Sequence, residues 1–247
     1  MAALHNRSTS KVLAIYKACL IDASKALLRN PWIVLFSFIA YMTYSLIANI
    51  FSGMGFAGGM LIGMAQIGLI SLYYYWLSEI ISGHKVKLET ALTFNFQLFS
   101  GVLSVAFIFF IVLYLAQIFL QGFQVPWAIM LLQLGIVFIF NSIPEVIYLK
   151  NLESLEALSF SAEFTKRNWI EWYLPLLILL LPWVINESTS VLLVLAGTDP
   201  FLPSLMLIES AGHWTQALSN SSLPGLFLGV ILTNWFMIFR GNLFLRL

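Results

Sequence analysis

Two stretches of this chain, residues 30–78 and 90–144, contain no charged side chain. An α-helix needs about 20 apolar residues to cross a bilayer, so each stretch has room for two crossings joined by a short turn. Composition points the same way. The chain is 60% hydrophobic and 9% charged, whereas a soluble domain carries about 25% charged residues. Too little polar surface is left to keep a soluble fold dispersed. In lipid the backbone must satisfy its hydrogen bonds within each segment, which favours helices. The sequence therefore predicts an all-α polytopic membrane protein, a single integral membrane domain over residues 1–247.

Six crossings are expected, at about 31–51, 54–80, 101–120, 126–149, 169–195 and 223–240. Pro175, Pro182 and the polar patch at 186–190 mark the fifth for a kink or an early end. The cations set the orientation. Arg7, Lys11, Lys17, Lys25 and Arg29 precede the first crossing, and Lys85 and Lys87 follow the second. Lys150, Lys166 and Arg167 separate the fourth from the fifth, and Arg240 and Arg246 follow the sixth. Every cation thus falls on one side, the positive-inside pattern that places both termini in the cytoplasm. No cleavable signal peptide is visible in the first 30 residues, so the first crossing is expected to stay in the mature protein. The long connection 198–225 is expected to form a short surface helix with Leu205, Ile208 and Trp214 dipping into the outer leaflet.

Charged and aromatic residues cluster where crossings begin. "FTKRNWIEW" (164–172) and "LLRNPWIVL" (27–35) each precede an apolar run. Trp prefers the interface because its ring is apolar while its N–H needs a polar partner. Arg29, Trp32, Lys166, Arg167, Trp169 and Trp172 are therefore read as interface anchors. Amphipathic lead-ins precede each pair of crossings. The first, over 11–29, places Val12, Tyr16, Cys19, Leu20, Ala23 and Leu27 on one face and cations opposite. The second repeats Leu88, Ala91, Leu92, Phe96 and Phe99; the third repeats Leu155, Leu158 and Ala162, beside a Glu163–Arg167 pair in the favourable i,i+4 order. Such helices can lie in the interface with the apolar face down; for the third, whose charge is mixed, binding of a soluble partner is the alternative. The plan is threefold: an interfacial amphipathic helix, then a transmembrane hairpin.

Three passages resemble a known group. "LEALSFSAEFTKRNWIEWYLPLLIL" (155–179), "SGHKVKLETAL" (82–92) and "ALLRNPWIVL" (26–35) are similar to segments of the YciC-like bacterial inner-membrane proteins. They are similar also to the related membrane domain of some glycerophosphodiester phosphodiesterases. The resemblance implies six membrane helices and a location in the bacterial inner (plasma) membrane. It carries over no catalytic residue.

Little in the sequence suggests bond chemistry. The single cysteine, Cys19, excludes an intramolecular disulfide and a cysteine-based metal cluster. His5, His84 and His213 are far apart, and no His-Glu-x-x-His or Gly-x-Ser-x-Gly pattern occurs. No catalytic residue, metal, cofactor or nucleic-acid partner is expected. Gly55, Gly59 and Gly63 form a small-xxx-small face for close helix approach. Intramolecular packing is its leading reading, and contact with another membrane subunit is the alternative. In "FNSIPEVIY" (140–148), Pro144 is expected to kink the fourth crossing. Asn141 and Glu145, four residues apart, share a face that turns from lipid toward the bundle. Either Glu145 is a solvated carboxylate at a kinked end, or it lines a polar recess with Asn141 and Glu79 that holds a headgroup or a partner side chain. The expected role is non-enzymatic, as a structural or accessory subunit of an envelope complex or in membrane-lipid homeostasis, with membrane lipids as partners. The alternative is a transporter of a lipid or small apolar molecule, and an intramembrane enzyme is the least favoured reading.

Overall fold

The computed structural model describes residues 9–87, 93–121, 126–186, 201 and 222–247, which form helices without strands. They are α1 (Thr9–Arg29), α2 (Trp32–Phe51), α3 (Gly55–Ile81), α4 (Phe96–Gln121), α5 (Pro126–Ile139), α6 (Ile143–Lys150), α7 (Ser154–Asn186) and α8 (Ser222–Arg246). Four stretches among them are long and apolar enough to cross a membrane: Trp32–Ile81, Phe96–Leu120, Trp127–Lys150 and Phe227–Arg246. The chain is an all-α membrane protein.

The first stretch folds as two helices. A 3₁₀ turn, Ser52–Met54, ends α2, and Gly55 opens α3 at φ +58. An L side chain rarely adopts that conformation, so glycine is the residue that lets the chain reverse here. A Cβ at Gly58 would strike the carbonyl of Phe51, so the start of α3 lies tight against the end of α2. Further along, Phe36 stacks on Trp76 with ring centroids 4.6 Å apart, which makes the pair an antiparallel hairpin. Asn30 closes its base. Its Oδ1 accepts from Val86 N at 2.9 Å, while its Nδ2 donates to Ala26 O at 3.1 Å.

The second hairpin is α4 followed by α5 and α6. Asn95 caps α4, its Oδ1 accepting from Gln97 N at 3.0 Å and Leu98 N at 3.2 Å. Residues 93–95 are not helical. The second predicted lead-in therefore does not continue into α4; Phe96 and Phe99 belong to α4 itself, and 88–92 lie outside the described residues. The fourth predicted crossing breaks near Pro144, as expected. Helix α5 stops at Ile139, and α6 restarts at Ile143 with Pro144 in its first turn. Helix α7 joins the third lead-in to the fifth crossing through one non-helical residue, Asn168 (φ −122, ψ 24). The end of the predicted 169–195 crossing lies outside the described residues.

The core sits at the end of the bundle that carries Lys150 and Arg246. Fully buried large side chains there include Trp76, Tyr74, Ile80, Ile147, Phe236 and Leu243. Helix α1 contributes to it. Its small residues Cys19, Ala23 and Ala26 are buried and let α8 approach closely. The Asp22–Arg246 ion pair and a bond from Trp235 Nε1 to Ser24 Oγ (3.1 Å) reinforce the contact. This corrects the sequence reading of α1 as a helix resting on the bilayer alone. Part of the predicted stripe, Cys19 and Ala23, faces protein, whereas Leu20 stays 40% exposed. The surface helix predicted within 198–225 lies outside the described residues; of that connection α8 takes 222–225, and the one other described residue is Phe201. That residue is not at the surface: it is buried, its ring 6.2 Å from that of Phe109, and its carbonyl accepts from Tyr74 Oη at 2.6 Å.

Candidate functional site

The break between α5 and α6 produces the most polar part of the interior. A helix that stops leaves its last carbonyls without partners along the chain. Here the backbone carbonyl of Asn141 is taken by Arg240 of α8, whose Nη2 donates at 2.6 Å. The same guanidinium clasps Glu145 through two parallel bonds, Nε to Oε1 at 2.9 Å and Nη2 to Oε2 at 2.9 Å. The ion pair is enclosed, with side chains 4% and 0% exposed. The planar fork of Arg matches a carboxylate in this bidentate way, which a lysine cannot do.

Helix α7 supplies the remaining walls. The guanidinium carbon of Arg240 lies 4.7 Å from the Trp172 ring centroid, a cation–π contact in a desolvated setting. The indole Nε1 of Trp172 donates to Asn141 Oδ1 at 3.1 Å. At the next residue of the break, Ser142 Oγ shares a hydrogen bond of 2.8 Å with Ser161 Oγ, about three turns of α7 before Trp172. The α5–α6 break is thus tied to α7 at two points and to α8 at one. Beside it stand two tyrosines, Tyr73 and Tyr148, whose buried hydroxyls have no hydrogen-bond partner among the described residues.

Several expectations are revised by this geometry. Asn141 and Glu145 do share an inward face, but Glu145 is not a solvated carboxylate: it is buried and ion-paired. Glu79 is not part of the recess. Its carboxylate, 37% exposed, meets His84 Nδ1 at 3.0 Å, five residues along the chain. Trp172 is not a lipid-facing anchor, because it is 4% exposed and its N–H finds its polar partner inside the protein. Trp32 (49% exposed) and Trp169 (60%) do face outward, as do Arg29, Lys166 and Arg167. Arg167 pairs with Glu163 as predicted. Among the described residues nothing packs against the glycine face: a Cβ added to Gly55, Gly59 or Gly63 would meet none of them within 4 Å, and Gly55 serves the turn instead.

Sequence reasoning missed Arg240 altogether, counting it among the orienting cations beyond the sixth crossing. A signal was available: "WFMIFRGNLF" continues its apolar pattern on both sides of the arginine, and α8 runs on to Arg246. Gly241 fits the same picture, since a Cβ there would run into the side chain of Ile81 and the Tyr148 hydroxyl.

Burial pushes the Cys19 thiol up, away from the thiolate form needed for nucleophilic chemistry. Burial, with the Glu171 charge adding to it, raises Tyr16 from 10.0 to about 12. No group of three or more His, Cys, Asp or Glu side chains is placed to hold a metal ion among the described residues. No protein-family model, curated protein or solved structure matches the chain.

Proposed function

We propose that this is a multi-pass protein of the bacterial inner (plasma) membrane with both termini in the cytoplasm. In this reading it works without bond chemistry of its own, as a structural or accessory subunit of an envelope complex or in membrane-lipid homeostasis. The YciC-like passages belong to the same reading. One observation carries it: the buried charge is bound up within the protein while its helix-packing glycines are left open. Glu145 and Arg240 meet each other, a helix end and an indole, an arrangement that locks helices together. Gly59 and Gly63 offer close backbone approach to a membrane neighbour. Purification in mild detergent followed by native mass spectrometry tests the role. Stoichiometric protein partners, lost on Gly59→Leu with Gly63→Leu, are the expected result, and a monomer with no partner in any detergent counts against it. Orientation is checked in a Cys19→Ser background. Single cysteines at Ser10, Gly83, Ser154 and Leu245 should react only from the cytoplasm, and one at Gly53 only from outside.

A second reading, transport of a lipid or small apolar molecule, draws on Phe201. Non-helical backbone at membrane depth is tolerated where it is buried in protein or lines a cavity, and the Phe201 carbonyl meets Tyr74, seven residues or about 10 Å inside the end of α3. Movement of a fluorescent lipid across proteoliposomes, abolished by Phe201→Gly, would favour it.

A further inference from the structure

Helix α1 presents two faces besides the one buried against α8. One is apolar and exposed, with Leu13 at 69%, Leu20 at 40% and Leu28 at 83%. The other is basic: Lys11, Lys25 and Arg29, together with Lys17 at the apolar border, outnumber the single acid Asp22. Asp22 is already paired with Arg246, whereas none of those four cations forms an ion pair among the described residues. Two hydrogen bonds fix α1 across its neighbours. Tyr16 Oη donates to the carbonyl of Glu171 on α7 at 2.8 Å, and Trp235 of α8 donates to Ser24. Between these two tethers the three helices leave a crevice of about 180 Å³. Its walls are Tyr16, Leu20, Pro175, Ile178, Trp235 and Phe239, and the surface they present is wholly apolar. No polar atom is available there to orient a soluble ligand, which ordinary ligand pockets supply. On α7 the neighbours Leu174, Leu177 and Ile178 are exposed as well, so the crevice opens onto a surface suited to hydrocarbon.

We infer that α1, α7 and α8 form a binding site for one anionic phospholipid, with an acyl chain in the crevice and its phosphate against Lys17. Lys17 is exposed and precedes Leu20 by three residues, so it shares that side of α1 and stands at the crevice rim. Its flexible stem lies along apolar surface while the ammonium reaches headgroup level. Lys25, two turns on and about 12 Å away, extends the positive rim. A lysine near an anionic headgroup layer contributes about a fivefold preference, screened by salt. The site deepens the lipid side of the proposed function and rests on the membrane reading, but not on the accessory-subunit role.

The test uses the full chain, delipidated in mild detergent and titrated with dioleoyl phosphatidylglycerol or dioleoyl phosphatidylcholine under native mass spectrometry. One phosphatidylglycerol should bind per chain about fivefold more tightly than phosphatidylcholine, with the preference shrinking as ionic strength rises. Lys17→Gln should erase most of that preference. Leu20→Trp, which fills the crevice, and Leu20→Ala, which removes one wall without adding bulk, should both weaken retention of either lipid. Equal binding of the two lipids, wild-type retention by both Leu20 variants, or a dimer that forms only when lipid is excluded would overturn the proposal. Recovery of protein partners is not expected to change in these variants, so this site and the subunit role fail separately.

Discussion

The two ends of the bundle obey different rules. At the basic end, where α6, α7 and α8 meet α3, polar groups are enclosed and matched. At the other end the α2–α3 hairpin projects Phe56, Met60, Leu46 and Ile50 outward, each more than half exposed. In the most apolar window of the Phe227–Arg246 stretch 67% of residues are buried, against 6% for the Trp32–Ile81 stretch. Both are apolar enough to span a membrane, so hydrophobicity does not decide which one packs. Lipid chains are as apolar as leucine, and helix association in a bilayer relies instead on close packing and polar contacts. The basic end has Arg240, Trp172, Asn141 and Gly241 to supply these; Gly59 and Gly63 of the hairpin have nothing against them among the described residues.

The largest test of that contrast removes one member of the enclosed pair. Arg240→Ala or Glu145→Ala is expected to cost about 3–5 kcal/mol, because each leaves an uncompensated buried charge. Unfolding in mixed micelles by increasing dodecyl sulfate would read it. Combining Arg240→Met with Glu145→Leu should recover much of the loss, since the penalty comes from the orphaned partner. If the double variant is as unstable as either single one, the pair is not what holds α6 to α8. Next comes Gly241→Ala, at about 1–3 kcal/mol, because the added methyl overpacks a filled contact with Ile81 and Tyr148. Trp172→Phe keeps an aromatic side chain, though a smaller one, and deletes the indole donor to Asn141, for about 1 kcal/mol in the same assay.

Alkaline pH probes the seam between α1 and α7. Tyr16 holds its proton more tightly when folded, so it stabilises the fold fully below pH 10.0, and that contribution fades as pH rises toward about 12. Its partial exposure keeps the effect small, and Tyr16→Phe should flatten this part of the stability–pH curve. The smallest change is expected at the opposite end. Gly59→Ala and Gly63→Ala, in open space, should move monomer stability by no more than about 0.5 kcal/mol. A loss comparable to that of Gly241→Ala would mean that the hairpin is packed after all.

The apolar segments and the break in the fourth crossing were legible because charge-free runs and Pro144 are local signals, whereas the turn made by Gly55 was hidden behind its place in the glycine spacing. Legible too was the inward turn of the Asn141–Glu145 face, which follows from helical spacing and the cost of a carboxylate in lipid. The identity of its partner was not. Arg240 lies 95 residues from Glu145, and a cation near a helix end reads as an orienting charge whether it faces headgroups or a carboxylate. Trp172 was misread for a related reason: an indole needs an apolar bed and one acceptor, and the interface and the protein interior both offer them. Glu79 found a nearer partner in His84 that a search for intramembrane polar neighbours passes over. The glycine spacing is equally neutral, since small residues permit close approach from either side of a helix wall.

The long sequence gap between Glu145 and Arg240 also imposes an order in time. Asn30 meets Val86 after 56 residues, so the first hairpin can close while most of the chain is still unmade. Glu145 must wait for a partner 95 residues downstream, about 5–20 s of synthesis at common elongation rates. Until then the broken helix has its carboxylate in place and no counter-ion, and the early hairpins form a half-built bundle with one open polar seam. Helix α8 is therefore the one that closes this seam, and a chain released before Arg240 keeps a buried carboxylate with no counter-ion.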